Sequence, residues 1–165
     1  MSLFPQGKGA TLFVFQGQSP WGEYVALARE QSLVGLGFIG DRFSLEEMIE
    51  DLCDRPAWRQ ARFENHPISF KDITSIELWG TPFQIKVWEA LYALDRHQTV
   101  TYKDIAEKSC YQKGFQAIGQ AVSRNPISFV IPCHLVIKSS GEMGEYYWGS
   151  AIKKTLLDNF LSKHP

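Results

Sequence analysis

Long apolar runs are absent from this chain. No stretch approaches the ~20 residues of a membrane-spanning helix, and the N-terminus has no basic region followed by an apolar one. An intracellular protein, cytoplasmic or nuclear, is therefore expected, with no membrane partner. Cysteine is scarce: three in 165 residues, Cys53, Cys110 and Cys133, with no CxxC pair. An odd, scattered set argues against a disulfide framework. The four histidines stand at no zinc-ligand spacing from any cysteine, so no metal is expected. Free thiols suit a reducing compartment. An excess of charge of one sign is also missing, with 17 Lys/Arg against 18 Asp/Glu. The balance hides an asymmetry. Residues 1–75 hold 7 basic and 10 acidic side chains, and residues 76–165 hold 10 and 8. A surface that meets phosphate would come from the second half, although so small an excess equally describes a solvated face.

Apolar bulk is plentiful. Eleven Phe, six Tyr and five Trp supply a core, and the length suits one medium domain or two small ones. Segments 10–16, 22–28 and 33–39 read as strands, with a turn at Gln18-Ser19-Pro20. Ser44 followed by Glu47 is a capping-box pattern for a helix running to about Asp54. No chemistry is legible in this half, and Cys53 reads as packing. At Thr81-Pro82 a capping hydroxyl precedes proline at the first helical position, and Phe83, Val87, Leu91 and Leu94 follow at helical spacing. Two short helices, about 102–109 and 113–123, suggest a helix-turn-helix. Arg124-Asn125-Pro126 ends the second. Residues 127–131 form an apolar, strand-like run into Pro132-Cys133-His134, and a last helix spans about 151–161. The fold class expected is α+β, with an N-terminal α+β domain over 1–75 and a mostly helical domain over 76–165.

Cys133 is the candidate nucleophile. A cysteine after an apolar strand is usually structural, but Pro132 cannot donate to a sheet ladder, so the strand breaks where the thiol is presented. His134 stands next to it and can polarise the thiol directly or through water. An ordinary thiol is only a few per cent ionised near neutral pH and needs such help.

Ile131-Pro132-Cys133-His134 with Val136-Ile137 resembles the active-site signature of the O6-alkylguanine-DNA alkyltransferases. Gly80-Thr81-Pro82-Phe83-Gln84 with Val87-Trp88 resembles that family's opening helix. Thr99 to Ala106 resembles its helix-turn-helix entry, and Arg124-Asn125-Pro126-Ile127 the hinge before the active strand. Gly144 with Tyr146-Tyr147-Trp148-Gly149 resembles the loop over its pocket, and Lys153 to Leu157 its final helix. The likeness covers roughly residues 76–160; the first half has the look of the family's ribonuclease-H-like N-terminal domain.

The resemblance implies a monomer that binds double-stranded DNA from the minor groove and turns out an O6-alkylguanine, with O4-alkylthymine as a related substrate. Cys133 would take the alkyl group irreversibly, once per molecule and without a cofactor. Tyr102 would protonate or hydrogen-bond the leaving base at N3, and His134 would accept a proton through a water. Asn125 would brace the helix-turn-helix against the active strand. Backbone groups of Cys133, Val136 and Tyr147 would read base edges, with Trp148 as a pocket wall. Lys113 and Arg124 would meet phosphates, a role a solvated surface accounts for equally well.

Three positions depart from the family pattern. Gln116 stands where the family carries the arginine that fills the gap left by the flipped base. Leu135 replaces an arginine after His134, removing a charged contact at the pocket or DNA face. Phe160 replaces the acid that completes a Cys–water–His–Glu relay, and Asp158 lies about 200° around the helix from it. Two further readings stay open beside alkyl transfer. One is a sensor that binds alkylated DNA and recruits other repair factors without efficient transfer. The other is a cysteine hydrolase using Cys133 and His134, which would need a bend at Pro132 to bring adjacent residues together.

Overall fold

The computed structural model describes residues 11–39, 44, 47, 62–65, 70–109, 114–144 and 146–162. The architecture is α+β, in two compact units, Met1–Thr81 and Pro82–Pro165. The division falls after residue 81 rather than 75 because a short strand, β5 (Ser75–Ile76), pairs with β3 of the first unit.

The first unit is built on a meander of β1 (Thr11–Ser19), β2 (Gly22–Arg29) and β3 (Ser32–Phe38). Pro20-Trp21 forms the tight turn between β1 and β2. The Ser19 hydroxyl donates to the Gly22 carbonyl at 2.8 Å and accepts from the Trp21 N–H at 3.2 Å. Gly22, at φ 143°, takes a conformation that side chains disfavour. The sheet order is β4-β1-β2-β3-β5, with β4 (Arg62–Asn65) parallel to β1 and β5 parallel to β3. Val25 to Ala28 and Leu33 to Phe38 are buried without alternation, as central strands covered on both faces are. Ser44 and Glu47 make the two reciprocal bonds of the capping box, at 2.8 and 3.2 Å. The rest of the helix expected there, with Cys53, lies outside the described residues.

The second unit starts with α1 (Pro82–Tyr92), proline at its first position as the sequence predicts. Ile85, Val87, Trp88 and Leu91 are buried, while Phe83 is only half-buried, so the inward stripe is centred on Val87 and Trp88 rather than on Phe83. The Trp88 indole N–H donates to the Ala121 carbonyl at 2.8 Å, which ties α1 to α3 (Phe115–Ser123). Between them lies α2 (Tyr102–Lys108), too short to persist alone. Its start is held by Thr101 and Asp104, each accepting the other's backbone N–H, at 3.2 and 2.8 Å. Removing such a cap costs about 1 kcal/mol. These bonds also hold the Asp104 carboxyl below its ordinary pKa. The turn between α2 and α3, with Cys110 and Lys113, lies outside the described residues.

The apolar run 127–131 is not a strand. Its carbonyls join no ladder: those of Ile127 and Ser128 accept N–H groups of the run's own turns, and the other three accept from side chains. The Arg96 guanidinium donates to Phe129 and Val130 at 3.1 and 2.7 Å, and the Asn125 amide donates to Ile131 at 2.8 Å. The segment turns, with Phe129 at φ 46°, and delivers a 3-10 turn over Cys133–Leu135. Strand β7 (Val136–Ile137) follows and pairs in parallel with β6 (Val100–Thr101), so the residues after Cys133 lie beside the start of α2. The last helix, α4 (Ser150–Ser162), turns Lys153, Leu156 and Leu157 inward.

Candidate active site

Cys133 opens the 3-10 turn and is 6% exposed. Its N–H donates to the Ile131 carbonyl at 2.8 Å, and its thiol points to the Tyr146 hydroxyl at 3.9 Å. It lies in a cleft of about 30 Å³ that also meets Tyr102 from α2, Gly119 and Ser123 from α3, and Tyr147 and Trp148 from the loop before α4. That volume holds about two water molecules. Burial pushes the Cys133 thiol above its ordinary pKa, and hydrogen bonding from Asn125 and Tyr146 and the charge of Lys153 only partly offset it. The resting sulfur is a thiol.

Asn125 follows the C-cap of α3 and is buried. Its Nδ2 donates to the Ile131 carbonyl and its Oδ1 accepts the Ile127 N–H at 3.0 Å. It links the end of α3 to both ends of the segment before Cys133. Tyr102 is the first residue of α2 and half-buried on the cleft rim. The rings of Tyr147 and Trp148 meet edge to face at 4.6 Å, and Trp148 is buried as a cleft wall. Gln116 and Arg124 are exposed at opposite ends of α3.

His134 is fully buried, and neither ring nitrogen has a hydrogen-bond partner among the described residues. Phe160 stacks against it, ring centroids 4.8 Å apart at 37°. Counting along the chain put Phe160 where a relay acid would stand, and the ring contact fits that count, while Asp158 is exposed. Burial, then the positive charges of Arg96 and Lys153, depress the His134 pKa to about 3.

One expectation needs correction. Leu135 is fully buried, so it lies in the core and not at the pocket or DNA face where the loss of a charged contact was expected. Val136 is not among the residues that line the cleft. Its N–H donates to the Cys133 carbonyl, and its own carbonyl accepts from Lys153 Nζ at 2.7 Å, one of the two bonds a carbonyl can accept.

That lysine and Tyr146 were not singled out by the sequence. Lys153 is 1% exposed, its ammonium 5.9 Å from the Tyr146 ring centroid, and burial lowers its pKa to about 8. The legible signal was its place in the apolar stripe Lys153, Leu156, Leu157, Phe160, where a cation is out of pattern. Tyr146 is buried beside the thiol, with its own pKa raised by burial.

Known proteins similar to this chain agree with one another. A family model described as "6-O-methylguanine DNA methyltransferase, DNA binding domain" matches residues 82–159. A methylated-DNA–protein-cysteine methyltransferase of Methanosarcina barkeri is 33% identical over 144 residues, covering 85% of this chain and 91% of the relative. The inducible enzyme of that name from Bacillus subtilis is 31% identical over 159 residues, covering 84% and 83%. This chain belongs to the methylated-DNA–protein-cysteine methyltransferase family. Other family members are matched over less of their length: the Candida glabrata protein, 33% identical, is covered over 55% of its own chain. The fold matches the crystal structure of Mycobacterium tuberculosis OGT in complex with DNA, with a TM-score of 0.72 at 24% identity over 93% of this chain and 95% of that one.

Proposed function

We propose that this chain repairs DNA as a single-turnover methylated-DNA–protein-cysteine methyltransferase, moving the alkyl group of O6-alkylguanine to Cys133. The observation that carries the reading is a cysteine thiol in a cleft rimmed by Tyr102, Tyr147 and Trp148, in a chain of that family. The sulfur attacks the alkyl carbon as the carbon–O6 bond breaks, and the bonding pair stays with the guanine. The thiol gives up its proton and the departing base gains one, so the products are a thioether and a neutral guanine. Tyr102 donates to the base at N3, where negative charge develops, and the backbone of Cys133 and Tyr147 reads its edges. Helices α2 and α3 act as a helix-turn-helix, with Gln116, Arg124 and Lys113 toward duplex DNA on its minor-groove side. A monomer suffices for this chemistry, and a DNA substrate implies a cytoplasmic or nuclear setting.

A second reading has its own support. His134 without a polar partner, packed on Phe160, is a poor proton acceptor, which favours a sensor that holds alkylated DNA and transfers slowly. One experiment separates them. The protein is exposed to a duplex with one O6-methylguanine, and its intact mass and peptide map are taken. One methyl group per chain, on Cys133, is expected. Label on Cys53 or Cys110, or repeated turnover, would refute alkyl transfer to Cys133. Binding without mass gain would favour the sensor.

A further inference from the structure

Phe115 is 63% exposed, one of two large apolar side chains that the described residues leave in solvent. It is the first residue of α3, which at nine residues makes two and a half turns. At about 100° per residue, Gly119 lies ~40° from Phe115 around the axis, Ser123 ~80° and Val122 ~20° on the other side. Those three residues line the cleft that holds Cys133. Phe115 therefore stands on the cleft face of the helix, within ~30° of its centre and one turn beyond Gly119. Gln116, at ~100°, points further away. Nothing lies within 4 Å of a Cβ built on Gly119, so the surface between Phe115 and the cleft is open to a bound strand.

A base that leaves its stack creates a gap, and apolar side chains inserted between base steps are a recurring way to hold such a distortion. An amide is short and well hydrated and gains little from that position. We infer that Phe115 is the wedge that enters the DNA stack when the alkylated base moves into the cleft. The inference rests on the proposed alkyl transfer and adds to it the residue that keeps the base extrahelical. Phe115 contacts DNA and takes no part in the bond changes at sulfur.

The test compares wild type, Phe115→Ala, Phe115→Trp and Gln116→Ala. Methyl gain per chain is followed on a duplex carrying one O6-methylguanine and on the same lesion strand unpaired. In parallel, a base analogue whose emission reports unstacking sits beside the lesion in the duplex. Phe115→Ala should slow transfer from duplex at least about tenfold, the scale of a lost base–aromatic stack. It should leave the single strand within about twofold, because little stack has to be held open there. Phe115→Trp should restore the duplex rate, and Gln116→Ala should cost the duplex rate less than Phe115→Ala does. The melting temperature of Phe115→Ala should stay near wild type. Equal loss on both substrates, or none on either, would overturn the wedge. Absence of methyl transfer in the wild type would refute the proposed function and leave the wedge readable. The analogue signal would still change on binding and lose that change in Phe115→Ala, and an unchanged signal would overturn the inference.

Discussion

The Phe160 ring packs 4.8 Å from the His134 imidazole, in the place from which a carboxylate would stabilise a histidinium. The ring can offer neither charge nor hydrogen bond, and it lowers the polarity around an already buried base. With the Cys133 thiol pushed up by burial, the thiolate fraction is still climbing at neutral pH. Transfer from a single-stranded substrate should therefore keep accelerating from about pH 7 to 9. Phe160→Glu should raise the rate near neutrality about tenfold or more and flatten the profile. A wild-type profile already level from about pH 6.5 to 9 would show that another group ionises the thiol.

The burial of His134, with the charges of Arg96 and Lys153 beside it, sets a stability profile. Below the ordinary pKa of 6.5 the unfolded chain takes up a proton at His134 that the folded chain refuses until about pH 3. The unfolded state binds more protons throughout that window, so stability falls as pH drops through it and returns as pH rises. At about 1.4 kcal/mol per unit, the loss by pH 4 is roughly 3 kcal/mol. Urea unfolding at pH 7, 5 and 4 measures it. His134→Leu, which has no proton to gain, should lose that much less than wild type over the same range. Parallel profiles for the two proteins would show that other groups carry the acid sensitivity.

The reach of sequence reading differed along the chain for physical reasons. Pro82 and the apolar spacing of α1 are local signals, and α1 to α4 lie near their expected spans. Phe160 was legible by counting along one helix from a fixed motif. The run 127–131 was misread because its composition is that of a strand, while the groups that take its carbonyls include a side chain more than thirty residues earlier, Arg96. Leu135 was misplaced for a related reason. The 3-10 turn aims Cys133 at the cleft and the residue two further on into the core, which strand geometry does not predict. Lys153 carried a readable sign, a cation inside an apolar stripe, but its partner is a backbone carbonyl, and carbonyls leave no mark in a sequence.

Asn125 gives a test of the scaffold. Its amide and carbonyl close two buried bonds, to Ile131 and Ile127; truncation strands the Ile127 N–H away from water and leaves the Ile131 carbonyl with the Cys133 N–H alone. Asn125→Ala should cost about 2–4 kcal/mol of unfolding free energy and loosen the turn that presents Cys133. Asn125→Asp keeps the acceptor for the Ile127 N–H and loses the donor to Ile131, so it should be intermediate or worse, since it also buries a charge. Urea titration of the three proteins decides. A loss under about 0.5 kcal/mol in the alanine variant would show that the segment holds itself.

Lys153 links the scaffold to the thiol. Its ammonium donates to the Val136 carbonyl and lies over the Tyr146 ring, and its charge favours the Cys133 thiolate. Replacing it with methionine, of similar length, removes that charge with little change in volume. Cys133 should then ionise at higher pH, and its labelling by iodoacetamide near pH 8 should slow several-fold, resolved from Cys53 and Cys110 by peptide mapping. The shape of the curve should change as well. The lysine itself titrates near 8, below the raised pKa of the thiol, so in the wild type its support fades as pH climbs toward the thiol's range, which stretches the transition. Lys153→Met should give a steeper, single-site curve displaced upward, and Lys153→Arg, which keeps the charge, should stay closer to wild type in midpoint. If Lys153→Met labels with the wild-type pH dependence, the lysine holds only Val136, and the thiol is tuned by its burial and by Asn125 and Tyr146.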